Sequence, residues 1–292
     1  MRSQPAWSQD SVFHGSPDSL FHPSLRLEPA SLTEGTLAWL RIYPGVEAGT
    51  VAGQAAGEPI HFQRSDSGFK GLVGVPVDVG DSLPLSLYLQ SGDRTDTVLI
   101  SVPVRKGGYP SEVLAVAPAF AKPDKVAAAR IRTELARSRQ ISHQSQERPR
   151  LWRGAFRLPR ASRITSPFGT ARVYNGEVQG RHLGTDFAGA VGAPVLAAGR
   201  GVVAMVANFY LAGRAVYIDH GDGVVTAYFH LSRADVAEGD TVVAGQRIGA
   251  VGRSGRVTGP HLHWVARYGA ISVDPMSLLQ LEDHDRDSVT TN

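Results

Sequence analysis

Two short clusters hold the residues best equipped for chemistry: Arg181-His182-Leu183-Gly184-Thr185-Asp186 and Gly259-Pro260-His261-Leu262-His263-Trp264. The second reads as the start of a strand. Side chains two apart on a strand share a face, so His261 and His263 point the same way, a geometry suited to holding one ion. His182 and Asp186 are spaced to converge from a turn or bulge and not from a regular strand. Three ligands drawn from His and Asp, with a water, make a tetrahedral zinc centre that keeps an open position. The same donors accept other divalent metals. The chain has no cysteine, which excludes disulfides, thiol catalysis and Cys-ligated metal. Either spacing alone arises readily by chance; the joint occurrence in order carries the weight.

The other histidines divide by context. His230, in Ala227-Tyr228-Phe229-His230-Leu231, lies on a predicted strand between the two clusters. His220, in Ile218-Asp219-His220-Gly221, reads as a structural residue closing a strand before a turn. His14, His22, His61, His143 and His284 have no partner motif and read as surface residues.

The elements that must position these groups are short strands. Val202 to Val206, Ala215 to Asp219, Val224 to Leu231 and His261 to Arg267 are the clearest, separated by turns such as Asp222-Gly223 and Arg253-Ser254-Gly255. Residues 151–282 thus read as an all-β catalytic domain, followed by a flexible tail, 283–292. Upstream, Leu83, Leu85, Leu87 and Leu89 alternate with other residues, as do Val98, Ile100, Val102 and Val104. Residues 31–118 therefore read as an immunoglobulin-like antiparallel sandwich, an accessory domain preceded by an extended lead-in, 1–30. Residues 119–150 read as a helical segment and linker. Asp124 is the predicted N-cap, and the polar stretch Ser138 to Arg150 is the predicted connection between domains.

In order, HxxxD, a strand histidine and HxH resemble the lysostaphin-like M23 metallopeptidases, the LytM group. The resemblance covers nearly all of Phe156 to Leu279. It includes Ser166-Pro167-Phe168-Gly169, Gly192-Ala193-Pro194-Val195, Asp219-His220-Gly221, Tyr228-Phe229-His230-Leu231, Gly239-Asp240, Gly245-Gln246 and Val273-Asp274-Pro275. It implies a LytM-like antiparallel β-sheet domain holding one zinc per chain on His182, Asp186 and His263. His230 and His261 would stand beside the metal without binding it. Zinc lowers the pKa of a bound water towards about 7. One imidazole could take that water's proton and pass it to the leaving amine, and the second, or the metal, could stabilise the oxyanion. Which histidine does which stays open. Family members often carry Tyr before the first ligand; Arg181 stands there in this chain, and Tyr174 is a candidate oxyanion donor.

The implied substrate is bacterial peptidoglycan. Because no C-terminal wall-binding module is visible, the D-alanyl cross-link is preferred over the glycyl-glycine bridge. The alternative is an inactive LytM-like binding or activator protein of the cell envelope; such relatives lack one or more ligands, whereas all positions are filled here. Ala193-Pro194-Val195 and Glu238-Gly239-Asp240-Thr241-Val242 also look like a biotinyl or lipoyl carrier, but no lysine follows Lys125 to bear the cofactor. No HExxH is present, so the helical zinc proteases have no support. The net charge of +3 comes from basic residues scattered along the chain, and no nucleic-acid partner is expected. No stretch nears the roughly 20 apolar residues of a membrane helix. MRSQPAWSQDSVFHG lacks the apolar run of a signal peptide. Since the substrate lies outside the cytoplasmic membrane, the chain is read as the mature form of a periplasmic or secreted protein.

Overall fold

The structure, a computed structural model, describes residues 12–14, 23–44, 49–65, 68–113, 124–174 and 177–281. The chain divides into two compact units, one of Met1–Lys106 with Gln280–Asn292 and one of Gly107–Leu279. In the first, two sheets share one core. One sheet runs Ser24–Glu28, Leu37–Tyr43, Gly68–Gly74, Gln63–Ser65. The other runs Val12–His14, Arg94–Arg105, Ser82–Ser91, Thr50–Ala55, Glu58–His61, with Leu32–Thr33 parallel to Arg94–Arg105. The two alternating runs pair antiparallel, Val98 opposite Leu87 and Ile100 opposite Leu85, and turn their apolar faces into that core. Ser24–Glu28 differs from the predicted lead-in: it pairs with Leu37–Tyr43 as an edge strand and buries Leu27. Its two alternating leucines make too short a run to stand out in sequence.

The second unit is built on a ten-stranded sheet. Its main path is Ile164–Ser166, Thr185–Ala188, His261–Tyr268, Val224–Ala234, Gly213–Asp219, Gly201–Phe209, Thr241–Val242; Pro194–Leu196, Arg247–Val251 and Ile271–Val273 pair alongside. All pairings in this sheet are antiparallel. A small three-stranded sheet, Ser111–Val113, Ala171–Tyr174, Glu177–Arg181, leads into the first chemical motif.

The helix Lys125–Gln146 starts at Asp124, whose carboxylate accepts the Ala127 N–H at 2.7 Å. It runs well into the stretch predicted as a linker, and it packs on the large sheet. Ser138, Ser142 and Ser145 are buried on one face with Ile141, which joins Met205, Phe209, Tyr217, Val225 and Val265 in a common core. Serines at i, i+4 and i+7 let helix and sheet approach closely while leaving the sequence polar. In sequence such a stretch reads as a connection. Val225 and Ala227 lie under the helix on the same sheet face as Phe229, and Val265 on the same face as His263. The helix therefore covers one part of the face on which the histidines stand.

Candidate metal centre

The strand pairing brings the two motifs together. Asp186 is the cross-strand partner of His263, Ala188 of His261, and Phe229 faces His263 from the other side. Three neighbouring strands thus place a carboxylate, an imidazole and an aromatic ring in one row. The Phe229 and His263 rings stack with centroids 5.4 Å apart at 27°. His182 arrives from outside the strands. Its N–H donates to the Thr170 carbonyl and its own carbonyl accepts from Gly169 N–H, so the Ser166–Thr170 loop holds the residue at the sheet edge.

Three donor atoms converge: His182 Nε2 lies 3.2 Å from Asp186 Oδ1 and 3.0 Å from His263 Nδ1, and His263 Nδ1 lies 2.6 Å from Asp186 Oδ1. A tetrahedral ion with bonds of 2.0–2.1 Å would want donor separations of about 3.3 Å. The observed triangle is slightly tighter and opens to that size by small side-chain shifts. This trio is the one group among the described residues whose His and carboxylate atoms are close enough to share a metal ion. Nitrogen and oxygen donors of this kind suit zinc and other borderline divalent cations. His182 Nδ1 is 3.0 Å from the Pro167 carbonyl, which only accepts, so the proton sits on Nδ1 and Nε2 turns its lone pair to the centre. Burial disfavours charge on Asp186, but hydrogen bonds and attraction from His182 and His263 more than offset it, holding the carboxyl well below the usual range. Burial likewise pushes His263 down, against the opposing pull of Asp186.

Gly184 leaves the space in which His263 sits. A Cβ there would lie 2.6 Å from His263 Cε1 and 2.7 Å from the Trp264 carbonyl. The glycine inside the first motif is therefore required by the His263 ring of the second.

His230 and His261 complete the cluster, with ring centroids 4.8 Å apart. His230 reaches it through a bulge. Opposite Gly213–Asp219 the register passes from Tyr228↔Val216 to Leu231↔Arg214, so Phe229 and His230 together face Ala215. His230 takes a left-handed backbone, φ 61°, which is uncommon for a residue with a side chain. Regular alternation would send Phe229 and His230 to opposite faces; the bulge brings both rings beside His263, 5.4 and 5.9 Å away between centroids. Both of these imidazoles are oriented by carbonyls. His261 Nδ1 is 2.9 Å from Gly259 O and His230 Nδ1 is 2.9 Å from Ser254 O. Each therefore carries its proton on Nδ1 and offers a bare Nε2; His261 Nε2 is 3.8 Å from Asp186 Oδ1. Burial pushes His230 down to about 4, despite the Ser254 bond.

His220 takes no part in this cluster. Fully buried, it places Nδ1 2.7 Å from Arg200 O and Nε2 2.8 Å from the Thr226 hydroxyl, which lies 3.1 Å from Tyr228 OH. Desolvation pushes it down to about 4. His143 is exposed and His61 half-buried, and neither joins the centre. The side chains of Tyr174 and His14, together with His22 and His284, lie outside the described residues. Arg181 donates to the Gly169 carbonyl at 3.0 Å and lies over the Tyr109 ring, bracing the loop that holds His182. The carbonyls of Pro167, Ser254 and Gly259 left no signal in the sequence, because every residue type supplies the same backbone acceptor.

Residues 180–275 match the model of peptidase family M23. An 83-residue stretch is 53% identical to peptidoglycan DD-endopeptidase ShyA of Vibrio cholerae, covering 28% of this chain and 19% of that protein. A 117-residue stretch is 43% identical to DD-carboxypeptidase/endopeptidase Mpg of Neisseria meningitidis, covering 40% of this chain and 27% of the relative. The matched stretches thus span less than a third of these relatives' lengths. A solved structure of a peptidase M23 from Pseudomonas aeruginosa aligns with 85% of this chain and 95% of its own, at 25% identity and TM-score 0.58.

Proposed function

We propose that this chain, whose residues 180–275 form a peptidase family M23 domain, is a zinc-dependent endopeptidase that hydrolyses peptide cross-links of bacterial peptidoglycan. The observation that carries this reading is the convergence of His182 Nε2, Asp186 Oδ1 and His263 Nδ1 beside two imidazoles with bare Nε2 atoms. His182, Asp186 and His263 would hold one zinc per chain, and His230 and His261 would be the catalytic pair. A zinc held there would supply Lewis acidity to the scissile carbonyl and to the attacking water. The protein does the rest. With Nδ1 committed to a carbonyl, His261 or His230 can accept the water's proton only at Nε2. The imidazolium so formed is the donor for the leaving amine nitrogen. Half-buried Asp186, held ionised, balances part of the charge that this transfer creates.

The relatives named DD-endopeptidases favour the D-alanyl cross-link over a glycyl-glycine bridge. Peptidoglycan as substrate puts the protein in the cell envelope, periplasmic or secreted; no described helix is long and apolar enough to cross a membrane. Residues 151–282 are assigned as the peptidase domain and 31–118 as an immunoglobulin-like accessory module.

The test is metal content by mass spectrometry with release of soluble fragments from purified peptidoglycan, before and after chelation. One zinc per chain and chelator-sensitive release of peptides cut at the D-alanyl bond is the expected result. A chain that holds metal tightly yet cuts no wall from any source overturns the catalytic assignment.

A further inference from the structure

The left-handed backbone at His230 would not persist without a device holding it, because a non-glycine residue there stores strain. The device is the turn Arg253-Ser254-Gly255. The Ser254 hydroxyl donates to the Leu231 carbonyl at 2.9 Å and accepts the Arg214 N–H at 2.8 Å. One side chain thus ties the turn to both strands on either side of the bulge. The Arg214 guanidinium adds a bond to the Ser232 carbonyl, and Arg256 N–H donates to Leu211 O at 2.9 Å. Packing leaves no slack: a Cβ on Gly213, φ 62°, would lie 2.3 Å from Ser254 Oγ and from its carbonyl carbon. His230 N–H is itself bonded to Ala212 O at 2.9 Å. From this clamp the Ser254 carbonyl is presented to His230 Nδ1.

We propose that Ser254 is the positioning residue for His230: its hydroxyl locks the turn so that its carbonyl fixes the imidazole's tautomer and direction. The inference rests on the proposed reading in one respect, that His230 carries a proton during hydrolysis. The clamp itself is a matter of geometry. Partners that orient metal-ligating imidazoles typically contribute ten- to hundred-fold, and the same scale is taken for the imidazole beside the metal. A residue acting only through His230 should contribute nothing once that imidazole is gone.

The experiment has two arms. In the first, kcat, KM and metal content are measured for the wild type, Ser254→Ala, Ser254→Thr, His230→Ala and the Ser254→Ala/His230→Ala double variant. Ser254→Ala should lower kcat about ten- to hundred-fold with KM and metal unchanged. Ser254→Thr, which keeps the hydroxyl, should restore most of it, and Ser254→Ala should cost nothing further in the His230→Ala background. An equal loss in both backgrounds overturns the proposal. In the second arm, nitrogen NMR of histidine-labelled, metal-free protein reads the His230 tautomer. A single Nδ1–H form in the wild type that gives way to exchanging tautomers in Ser254→Ala supports the clamp; an unchanged signal overturns it. If the wild type cuts no peptidoglycan, the functional reading fails, and this second arm still decides the role of Ser254.

Discussion

Asp186 Oδ1 and His263 Nδ1 lie 2.6 Å apart across one rung of antiparallel pairing between Thr185–Ala188 and His261–Tyr268. The rung makes the pair a property of sheet register: a one-residue slip would turn either side chain to the opposite face. The third donor, His182 Nε2, then completes a triangle whose position is set by two strands and one loop.

Replacing Asp186 with Asn keeps the shape and removes the charge that two imidazoles hold in place. Metal affinity should fall by more than about 100-fold, beyond what loss of an outer-sphere partner costs. Metal titration followed by calorimetry checks this. Retention of tight binding would mean that Asp186 is not a ligand.

Gly184→Ala places a methyl group against the His263 ring and the Trp264 carbonyl. The carbonyl belongs to a central strand and cannot yield, so the imidazole must. Circular dichroism should show an intact fold while metal content and cleavage drop together, metal affinity by at least about ten-fold. Activity equal to wild type would show that the ring has room elsewhere.

His220 makes stability depend on pH. Its value is about 4 in the folded chain, against 6.5 for the free side chain. Above 6.5 neither state takes a proton, and the neutral, hydrogen-bonded imidazole contributes fully. As pH falls from 6.5 towards 4 the unfolded chain binds a proton and the folded chain does not, so stability declines, by on the order of 3 kcal/mol across the window. Urea unfolding at pH 7.5 and 5.0 should show the upper part of this loss, about 2 kcal/mol, and His220→Gln should shrink the difference. A slope unchanged in the variant would assign the effect to other groups.

Ser142 is fully buried between helix and sheet, and its hydroxyl has no hydrogen-bond partner. Ser142→Ala should raise stability by about 1 kcal/mol, through better helix propensity and removal of an unpaired buried hydroxyl. Ser142→Leu should lower it by about 1–3 kcal/mol through overpacking. Thermal unfolding of the two variants checks both signs; no response to Leu would mean that the helix does not pack tightly there.

Strand alternation by itself determines much of this protein. Period two is a local property, so the paired runs around Leu85 and Ile100, and the common face of His261 and His263, follow from residue order alone. Motif order was equally legible, since each functional side chain is chemically distinctive. The clamp on His230 was not. It depends on a bulge and on carbonyls that every residue type carries alike, so no side chain announces it. Nor was the extent of the helix legible: its buried face is serine, whose small size matters only once a sheet lies against it. What each residue can do chemically is written in its side chain. Which atoms meet is decided by register, bulges and close packing, which act between segments that lie far apart in the chain.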